Sequence, residues 1–178
     1  METKVGTVYR IAGPVVISKG LQTRMYDVVL VGKEKIMGEV IQINGDRATI
    51  QVYEDTEGIK PGDVIENTGQ PLAVELGPGL LRSIYDGIQR PLPALREQMG
   101  DFVLRGASAP ALDRKKKWSF KPSVKKGDEV KAGSILGHVD ETKTVKHAIM
   151  LPPEMNGVVK DIKEGEFAVE ETVCTLED

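Results

Sequence analysis

The sequence predicts a mainly β chain with a small N-terminal β-barrel, a short connecting helix and a second β-rich domain. The chain has 19 Gly and 10 Pro but only 4% aromatic residues, which is typical of short strands joined by tight turns. Apolar and polar residues alternate from about Val5 to Glu66. A weak internal repeat follows Lys121, and it indicates a second β structure of different design.

The first element is the barrel, which we place at residues 1–72. Four alternating runs, "GTVYRIAGPVVISKG", "MYDVVLVG", "GEVIQING" and "RATIQVY", are separated by turn residues. Asn44 and Gly45 join two of these runs, and an Asn-Gly pair tolerates the positive φ of a tight hairpin turn. Five or six such strands with one buried face are expected to close into a barrel, because closure removes the exposed edges of so short a sheet.

The connector, residues 73–109, has the spacing of a short amphipathic helix. Apolar residues recur at helical intervals at Leu80, Leu81, Ile84, Tyr85 and Ile88. Pro91 and Pro93 are expected to end this helix, and a second one can follow through Leu95 and Met99. Such a helix needs an apolar surface to lie against.

The second domain, residues 110–178, is predicted to be a flattened β-sandwich. The polar stretch "RGASAPALDRKKKWSF" before it predicts a linker or domain edge, since it is rich in small residues, prolines and charges. The segments 125–139 and 163–177 each have a charged-Gly-acidic turn followed by an alternating apolar strand. Two such copies describe a sandwich of two interlocked half-motifs.

Charge and composition limit the possible partners. A net charge of -3 provides no overall attraction to nucleic acid or to an anionic membrane surface. The N-terminus lacks the apolar run of a signal peptide, and no stretch of 18 apolar residues occurs, so we expect an intracellular chain without direct membrane insertion. The one cysteine, Cys174, excludes an internal disulfide and fits a small core residue.

Lys143 lies at the crest of a predicted hairpin, where a swinging-arm domain carries its modified lysine. The stretch "KKGDEVKAGSILGHVDETK" resembles the lipoyl and biotinyl carrier family, and "PPEMNGVVKDIKEG" resembles its returning strand. The resemblance implies a carrier-like sandwich, and an alternative function as a lipoyl or biotin carrier. Thr142 and Thr144 stand where lipoyl carriers have an acidic residue and biotinyl carriers have methionines, so the attachment signature is missing and a solvated turn lysine is favoured.

A second resemblance extends over the chain from about Val5. The segments "GTVYRIAGPVV", "GDRATIQVYEDTEGIKPGD", "TGQPLAVELGPGLLRSIYDGIQRPL" and "KKKWSFKPSVKKGDEVKAG" occur in order, and together they resemble the beginning of the catalytic A subunit of archaeal A-type ATP synthases, related to vacuolar-type ATPases. The family implies an N-terminal barrel, a helical connector and an inserted carrier-like domain called the bulge.

The resemblance also implies function and partners. In this family alternating A and B subunits form a ring that couples ATP synthesis to proton or sodium transport, and the N-terminal barrels join into a crown. We therefore expect contacts with the B subunit, with peripheral stalk subunits through the bulge, and with the rest of the same A subunit. The expected location is cytoplasmic, on the inner face of the cell membrane, as part of a peripheral sector.

The family's nucleotide site is not expected in this sequence. Its phosphate loop has the form G-x-x-x-x-G-K-T, in which backbone amides and the lysine hold the phosphates and the threonine reaches magnesium. The one Gly-Lys pair, Gly32 and Lys33, is followed by Glu34 and has no glycine five positions before it. Mg-ATP or ADP is therefore expected in the parent subunit, and the present chain is expected to be its inactive front portion, with no cofactor of its own.

The remaining candidate site residues are interaction residues. The apolar face of the connector is expected to be an exposed patch in this chain, at Leu80, Leu81, Ile84 and Ile88. The basic run "DRKKKW" is interpreted as a solvated linker, with protein docking or a weak nucleic-acid contact as alternatives, at Arg114, Lys115, Lys116, Lys117 and Trp118. No metal site is expected from His138 and His147, and no catalytic residue is assigned. A third class of function, an RNA-binding barrel, is opposed by the acidic charge.

Overall fold

The computed structural model describes residues 4–100, 102 and 104–177, and its chain divides into two compact units. One unit contains the residues up to Val74 together with Ala94–Ala109, and the other contains Glu75–Pro93 and the chain from Pro110 onward. The connector therefore contributes to both units. The three domain limits given above stay a prediction. No helix among the described residues is long and apolar enough to cross a membrane.

The first unit is a closed antiparallel barrel of six strands, as the alternating pattern predicts. The strands follow one another around the barrel in the order β1-β2-β5-β4-β3-β6. Their bounds are β1 Lys4–Ala12, β2 Val15–Lys19, β3 Asp27–Val31, β4 Ile36–Asn44, β5 Arg47–Val52 and β6 Val64–Pro71. Pairing of β6 with β1 closes the barrel, so each of its strands has two neighbours.

The barrel core consists of the inward-facing half of each strand. Val16, Val29, Val40, Ile50 and Ile65 are all fully buried. These β-branched side chains suit a pleated and tightly curved surface, and their alternation with exposed neighbours explains why the sequence pattern alone indicates the fold.

The hairpin between β4 and β5 is where the sequence predicts it. Asn44 pairs with Arg47, so the two-residue loop is Gly45-Asp46, and Asn44 is the last residue of its strand. Gly45 has a φ of 61°, at the first of the two loop positions, where a glycine carries no steric penalty.

The predicted helix over Leu80–Ile88 is wrong. The structure has a single 3₁₀ turn at Leu80–Arg82, and the chain is extended from Ser83. Asp86 explains the difference, because its carboxylate accepts hydrogen bonds from the amides of Ile88 and Arg90 and pairs with the Arg90 guanidinium at 2.6 Å. A side chain that binds nearby amides in this way stabilises a turn in place of a helix.

The short connecting helix is the second one, α1, Leu92–Met99. Pro93 does not end it, because proline is tolerated in the first turn, where an amide has no partner within the helix. The strong helix formers "ALREQM" follow, and the helix ends at Gly100, whose amide donates to the Arg96 carbonyl at 2.8 Å with a φ of 79°.

The second unit contains two sheets. The four-stranded sheet has the order β10-β9-β7-β12, and the three-stranded sheet has the order β13-β11-β8. The bounds are β7 Trp118–Pro122, β8 Glu129–Val130, β9 Ile135–Asp140, β10 Lys146–Met150, β11 Gly157–Ile162, β12 Gly165–Phe167 and β13 Cys174–Glu177.

The internal repeat appears in this topology. The first copy supplies β8 to the three-stranded sheet and β9 to the four-stranded sheet, whereas the second supplies β12 to the four-stranded sheet and β13 to the three-stranded one. Each half-motif thus contributes to both sheets, and the halves interlock as predicted. Cys174 is half-buried and packs against the core cluster of Val130, Leu136, Leu151 and Val159.

The stretch before β7 is packed, contrary to its interpretation as a solvated linker. Leu112 and Trp118 are buried. The Tyr85 hydroxyl donates to the Ala111 carbonyl at 2.9 Å, which holds the chain next to the connector. The composition is that of a linker, but the two large apolar side chains within it are sufficient to hold the stretch to the sandwich.

We predict that Gly137→Ala destabilises the second unit by about 1–3 kcal/mol, because a methyl group overpacks this site. An added Cβ would lie 2.4 Å from the Phe120 ring and 2.5 Å from the Lys121 carbonyl oxygen. Urea unfolding followed by the fluorescence of Trp118, the single tryptophan, measures the loss.

The matched control is Gly87→Ala, because nothing lies within 4 Å of an added Cβ there and its φ needs no glycine. It should unfold at the wild-type midpoint or slightly above it. Equal midpoints for the two variants would contradict the close packing of β9 on β7.

Candidate interaction surface

The connector is held against the sandwich by one buried carboxylate, Glu141. This residue directly follows β9, and its side chain is only 2% exposed. Its Oε1 accepts hydrogen bonds from the Gly79 amide at 2.7 Å and the Leu81 amide at 3.1 Å. Its Oε2 lies 3.2 Å from Nδ1 of His147, on β10. We call these four residues, Glu141, Gly79, Leu81 and His147, the carboxylate latch.

The sequence "GPG" lets the connector approach closely enough for this latch. Gly79 has a φ of 114°, a conformation that residues with a Cβ rarely adopt. A Cβ at Gly77 would lie 2.6 Å from Cδ1 of Leu112, and one at Gly79 would lie 3.3 Å from Cζ2 of Trp118. Both glycines therefore allow the backbone to lie directly on side chains of the sandwich.

The latch also sets the charge state of Glu141. Burial raises the pKa of its carboxyl, but the Leu81 and Gly79 amides and His147 favour the charged form, and the net pKa is lowered from 4.5. A charged acceptor forms stronger hydrogen bonds than a neutral one, so the latch is strongest with the carboxylate ionised.

The predicted connector patch divides into two exposed and two half-buried side chains. Leu81 is 61% exposed and Ile84 is 67% exposed. Leu80 and Ile88 are half-buried. Without a helix the four do not form one helical stripe, but Leu81 and Ile84 still present apolar surface next to a backbone that the latch fixes.

The basic run is only partly solvated. Arg114 forms ion pairs with Glu75 and, at 3.2 Å, with Glu170, so it joins the connector to the turn after β12. Nζ of Lys116 lies 3.9 Å from the centre of the Trp118 ring, as in a cation–π contact. Lys115 and Lys117 are exposed, and they are the two residues of the run that present their charges to solvent.

Lys143 lies at the crest of the β9–β10 hairpin and is exposed, as the sequence predicts. Thr142 and Thr144 flank it, and the Thr142 hydroxyl accepts hydrogen bonds from the amides of Thr144 and Val145. These bonds form a compact turn that needs no modification of Lys143.

The histidines do not form a metal site. Oγ of Ser123 lies 3.0 Å from Nδ1 of His138, while His147 belongs to the latch. Within the described ranges, no group of three or more His, Cys, Asp or Glu side chains could hold a metal ion. Gly32 and Lys33 lie in the turn between β3 and β4, where the Gly32 amide donates to the Val64 carbonyl at 2.8 Å.

Sequence reasoning missed the role of Glu141. Its amide partners lie 60 and 62 residues earlier in the chain, so no local spacing indicates them. The glycines of "GPG" are a visible signal that the backbone approaches another surface closely, but they do not identify that surface.

Two family models match the chain. One, described as the ATP synthase alpha/beta family, beta-barrel domain, matches residues 8–69. The other, described as the ATPsynthase alpha/beta subunit barrel-sandwich domain, matches residues 109–178. These matches fall on the six-stranded barrel and on the two-sheet sandwich.

Curated relatives, all of them A subunits of A-type ATP synthases, match over nearly the whole chain. The one from Methanosarcina barkeri is 59% identical over 178 residues, which is 100% of this chain and 31% of the relative. The one from Methanoregula boonei is 62% identical over 178 residues, or 99% of this chain and 30% of the relative. The one from Methanothrix thermoacetophila is 59% identical over 176 residues, or 98% of this chain and 31% of the relative. The chain thus spans about a third of the length of these relatives.

We predict that Glu141→Gln destabilises the second unit by about 1–3 kcal/mol at pH 7, because two buried amides lose a charged acceptor. The loss should depend on pH. A lowered folded pKa means that the stabilisation by Glu141 is present above pH 4.5 and is lost as the pH falls below that value, through the folded pKa. Urea unfolding of both proteins between pH 7 and pH 3 tests this.

The difference between the two proteins is the quantity to follow, because Asp86 and Asp140 also have lowered pKa values and titrate in both. The exposed Glu154→Gln serves as the control and should cost nothing measurable. A gap that stays constant or widens toward pH 3 would show that the ionised carboxylate does not stabilise the connector.

Proposed function

The chain belongs to the family formed by the A subunits of A-type ATP synthases, and from this premise we propose that it acts through contacts with neighbouring protein surfaces and not by turning over substrate. The observation that supports this most directly is the pair of exposed apolar side chains, Leu81 and Ile84, beside a backbone held by the carboxylate latch. Exposed apolar residues on a fixed backbone are typical of protein interfaces.

The first contact we propose is with the rest of the same A subunit, through the connector. Because the chain covers about a third of its relatives, a further part of the parent polypeptide is available to cover Leu81 and Ile84. In this proposal that part contains the site for Mg-ATP or ADP, and the present chain without it does not cleave ATP.

The second contact we propose is between the barrel and the B subunit in a ring. The outer face of the barrel carries exposed apolar residues that a neighbouring barrel would cover, among them Val5, Tyr9, Ile43 and Val64. Tyr9 also stacks with Arg47, whose guanidinium lies 4.0 Å from the ring centre. The parent assembly would synthesise ATP at the expense of a proton or sodium gradient.

The third contact we propose is between the sandwich and a peripheral stalk protein. Lys115 and Lys117 present charge next to Arg114 and Lys116, whose side chains are held by ion pairs and by Trp118. This surface would attract an acidic partner, because held charges align with less loss of side-chain entropy than free ones. A location on the cytoplasmic face of the membrane, in its peripheral sector, follows from the same assembly.

We predict that Leu81→Ser combined with Ile84→Ser weakens binding to the remaining part of the A subunit by tenfold or more. Each exposed aliphatic side chain that becomes buried contributes on the order of 1.5–3 kcal/mol, and a factor of ten is about 1.4 kcal/mol. Titration calorimetry of the 178-residue chain against that remaining part measures the effect.

Met155→Ser is the control, because Met155 is an exposed apolar residue of the same unit outside the connector. It should leave the dissociation constant unchanged. Equal weakening by all these substitutions, or none by any, would reject the connector as the contact. ATP cleavage by the pure 178-residue chain would reject the proposal as a whole.

We predict that Lys115→Glu with Lys117→Glu abolishes co-elution with the stalk subunits but preserves co-elution with the B subunit, since charge reversal repels an acidic partner. The matched control is Lys125→Glu with Lys126→Glu, an exposed pair in the first repeat. Stalk binding that survives the first reversal, or that both reversals abolish equally, would refute the placement of the docking surface on the basic run.

A further inference from the structure

An apolar cavity of about 100 Å³ lies in the sandwich, and nothing in the family contacts proposed above uses it. Nine of its ten lining residues are apolar. They come from β7, β9, β10, the second repeat and the connector: Pro78, Trp118, Phe120, Val139, Ile149, Phe167, Ala168, Val169 and Val173, with Glu171 as the tenth. The cavity therefore lies entirely within one unit.

The cavity wall contains a hydrogen-bond donor without an acceptor. Trp118 is 8% exposed, and its Nε1 has no partner among the residues that the structure describes. A buried N–H group without a partner is costly and rare in folded proteins, so it requires a physical explanation. Lys116 covers the face of the same ring, which leaves the indole edge as its unsatisfied part.

The other polar group of the wall does not supply an acceptor to the indole. Oε2 of Glu171 accepts the amide hydrogen of Ala168, which lies in the same turn. Pro78 completes the wall next to Gly79, the residue bound by the carboxylate latch. The surface of the cavity is thus almost wholly apolar around a single unsatisfied donor.

We propose that this cavity is a binding site for a small apolar molecule that carries one acceptor oxygen, such as a cyclic ketone of about six heavy atoms. The size follows from the volume, since a cavity of about 150 Å³ holds benzene and this one is somewhat smaller. The acceptor follows from the Trp118 N–H group, which would donate to it. Because Pro78 forms part of the wall, the bound molecule also stabilises the connector in its latched position.

The indole of Trp118 provides a direct reporter. It is the single tryptophan of the chain, so the ¹⁵N-labelled 178-residue protein shows one indole N–H signal. The probes are cyclopentanone and methylenecyclopentane, which have nearly the same shape but differ in the acceptor oxygen. We expect cyclopentanone to move the indole proton signal downfield in a saturable manner, whereas the hydrocarbon causes no downfield shift.

Two alanine substitutions separate the cavity from the rest of the surface. Ala168→Leu fills the cavity and should abolish the saturable shift. Ala132→Leu is the matched control, because Ala132 is exposed in the turn before β9 and does not line the cavity. Its titration should match that of the wild-type protein.

Trp118→Phe tests the hydrogen bond itself. Binding of both probes to both proteins, measured by saturation-transfer NMR, forms a double-mutant cycle. We expect the substitution to weaken cyclopentanone binding about three- to tenfold more than hydrocarbon binding. Dispersed amide signals in each variant establish that it is folded, and the cycle remains informative if Ala168→Leu fails to fold.

Three outcomes would overturn the proposal. The first is the absence of a saturable indole shift with either probe in the wild-type protein. The second is a shift that persists in folded Ala168→Leu, which would place the probe elsewhere. The third is equal weakening of both probes by Trp118→Phe, which would show that the indole N–H does not select an acceptor. None of these outcomes bears on the subunit contacts proposed above.

Discussion

A buried carboxylate needs partners, and in this chain it finds them in the backbone of a distant segment. Glu141 is almost fully buried and forms hydrogen bonds with the amides of Gly79 and Leu81. Since an unpaired charge at this site would be strongly destabilising, the connector and the β9–β10 hairpin must stay together for the unit to remain folded. The position of Leu81, and with it the exposed patch, depends on this interaction.

The same constraint brings the other features of the sandwich together. The connector turn that Glu141 holds contributes Pro78 to the apolar cavity and lies against Trp118. Lys116 covers the face of the indole, and Arg114 joins Glu75 of the connector to Glu170. A short stretch of backbone thus links the candidate interaction surface, the basic run and the cavity. A change at any one of them is expected to be felt by the other two.

The barrel follows a different principle. Its six strands are each paired on both sides, so its stability comes from a continuous hydrogen-bond ladder around a core of β-branched residues. The second unit has open sheets and a smaller core, and it depends on specific polar contacts that join segments far apart in sequence. The family comparisons divide the chain in the same manner, with one model for the barrel and another for the sandwich.

The sequence by itself determined the mainly β architecture, the closed barrel, the hairpin at Gly45 and the interlocked repeat, because each depends on local alternation and turn chemistry. It also carried the resemblance to the A-type family. Only the tertiary structure decided that Leu80–Ile88 is not a helix, because the Asp86 carboxylate competes for the backbone amides there. The partners of Glu141 and the unsatisfied Trp118 N–H were likewise beyond the sequence. Each depends on which groups meet after the chain has folded, and no local spacing records a meeting between residues 60 positions apart.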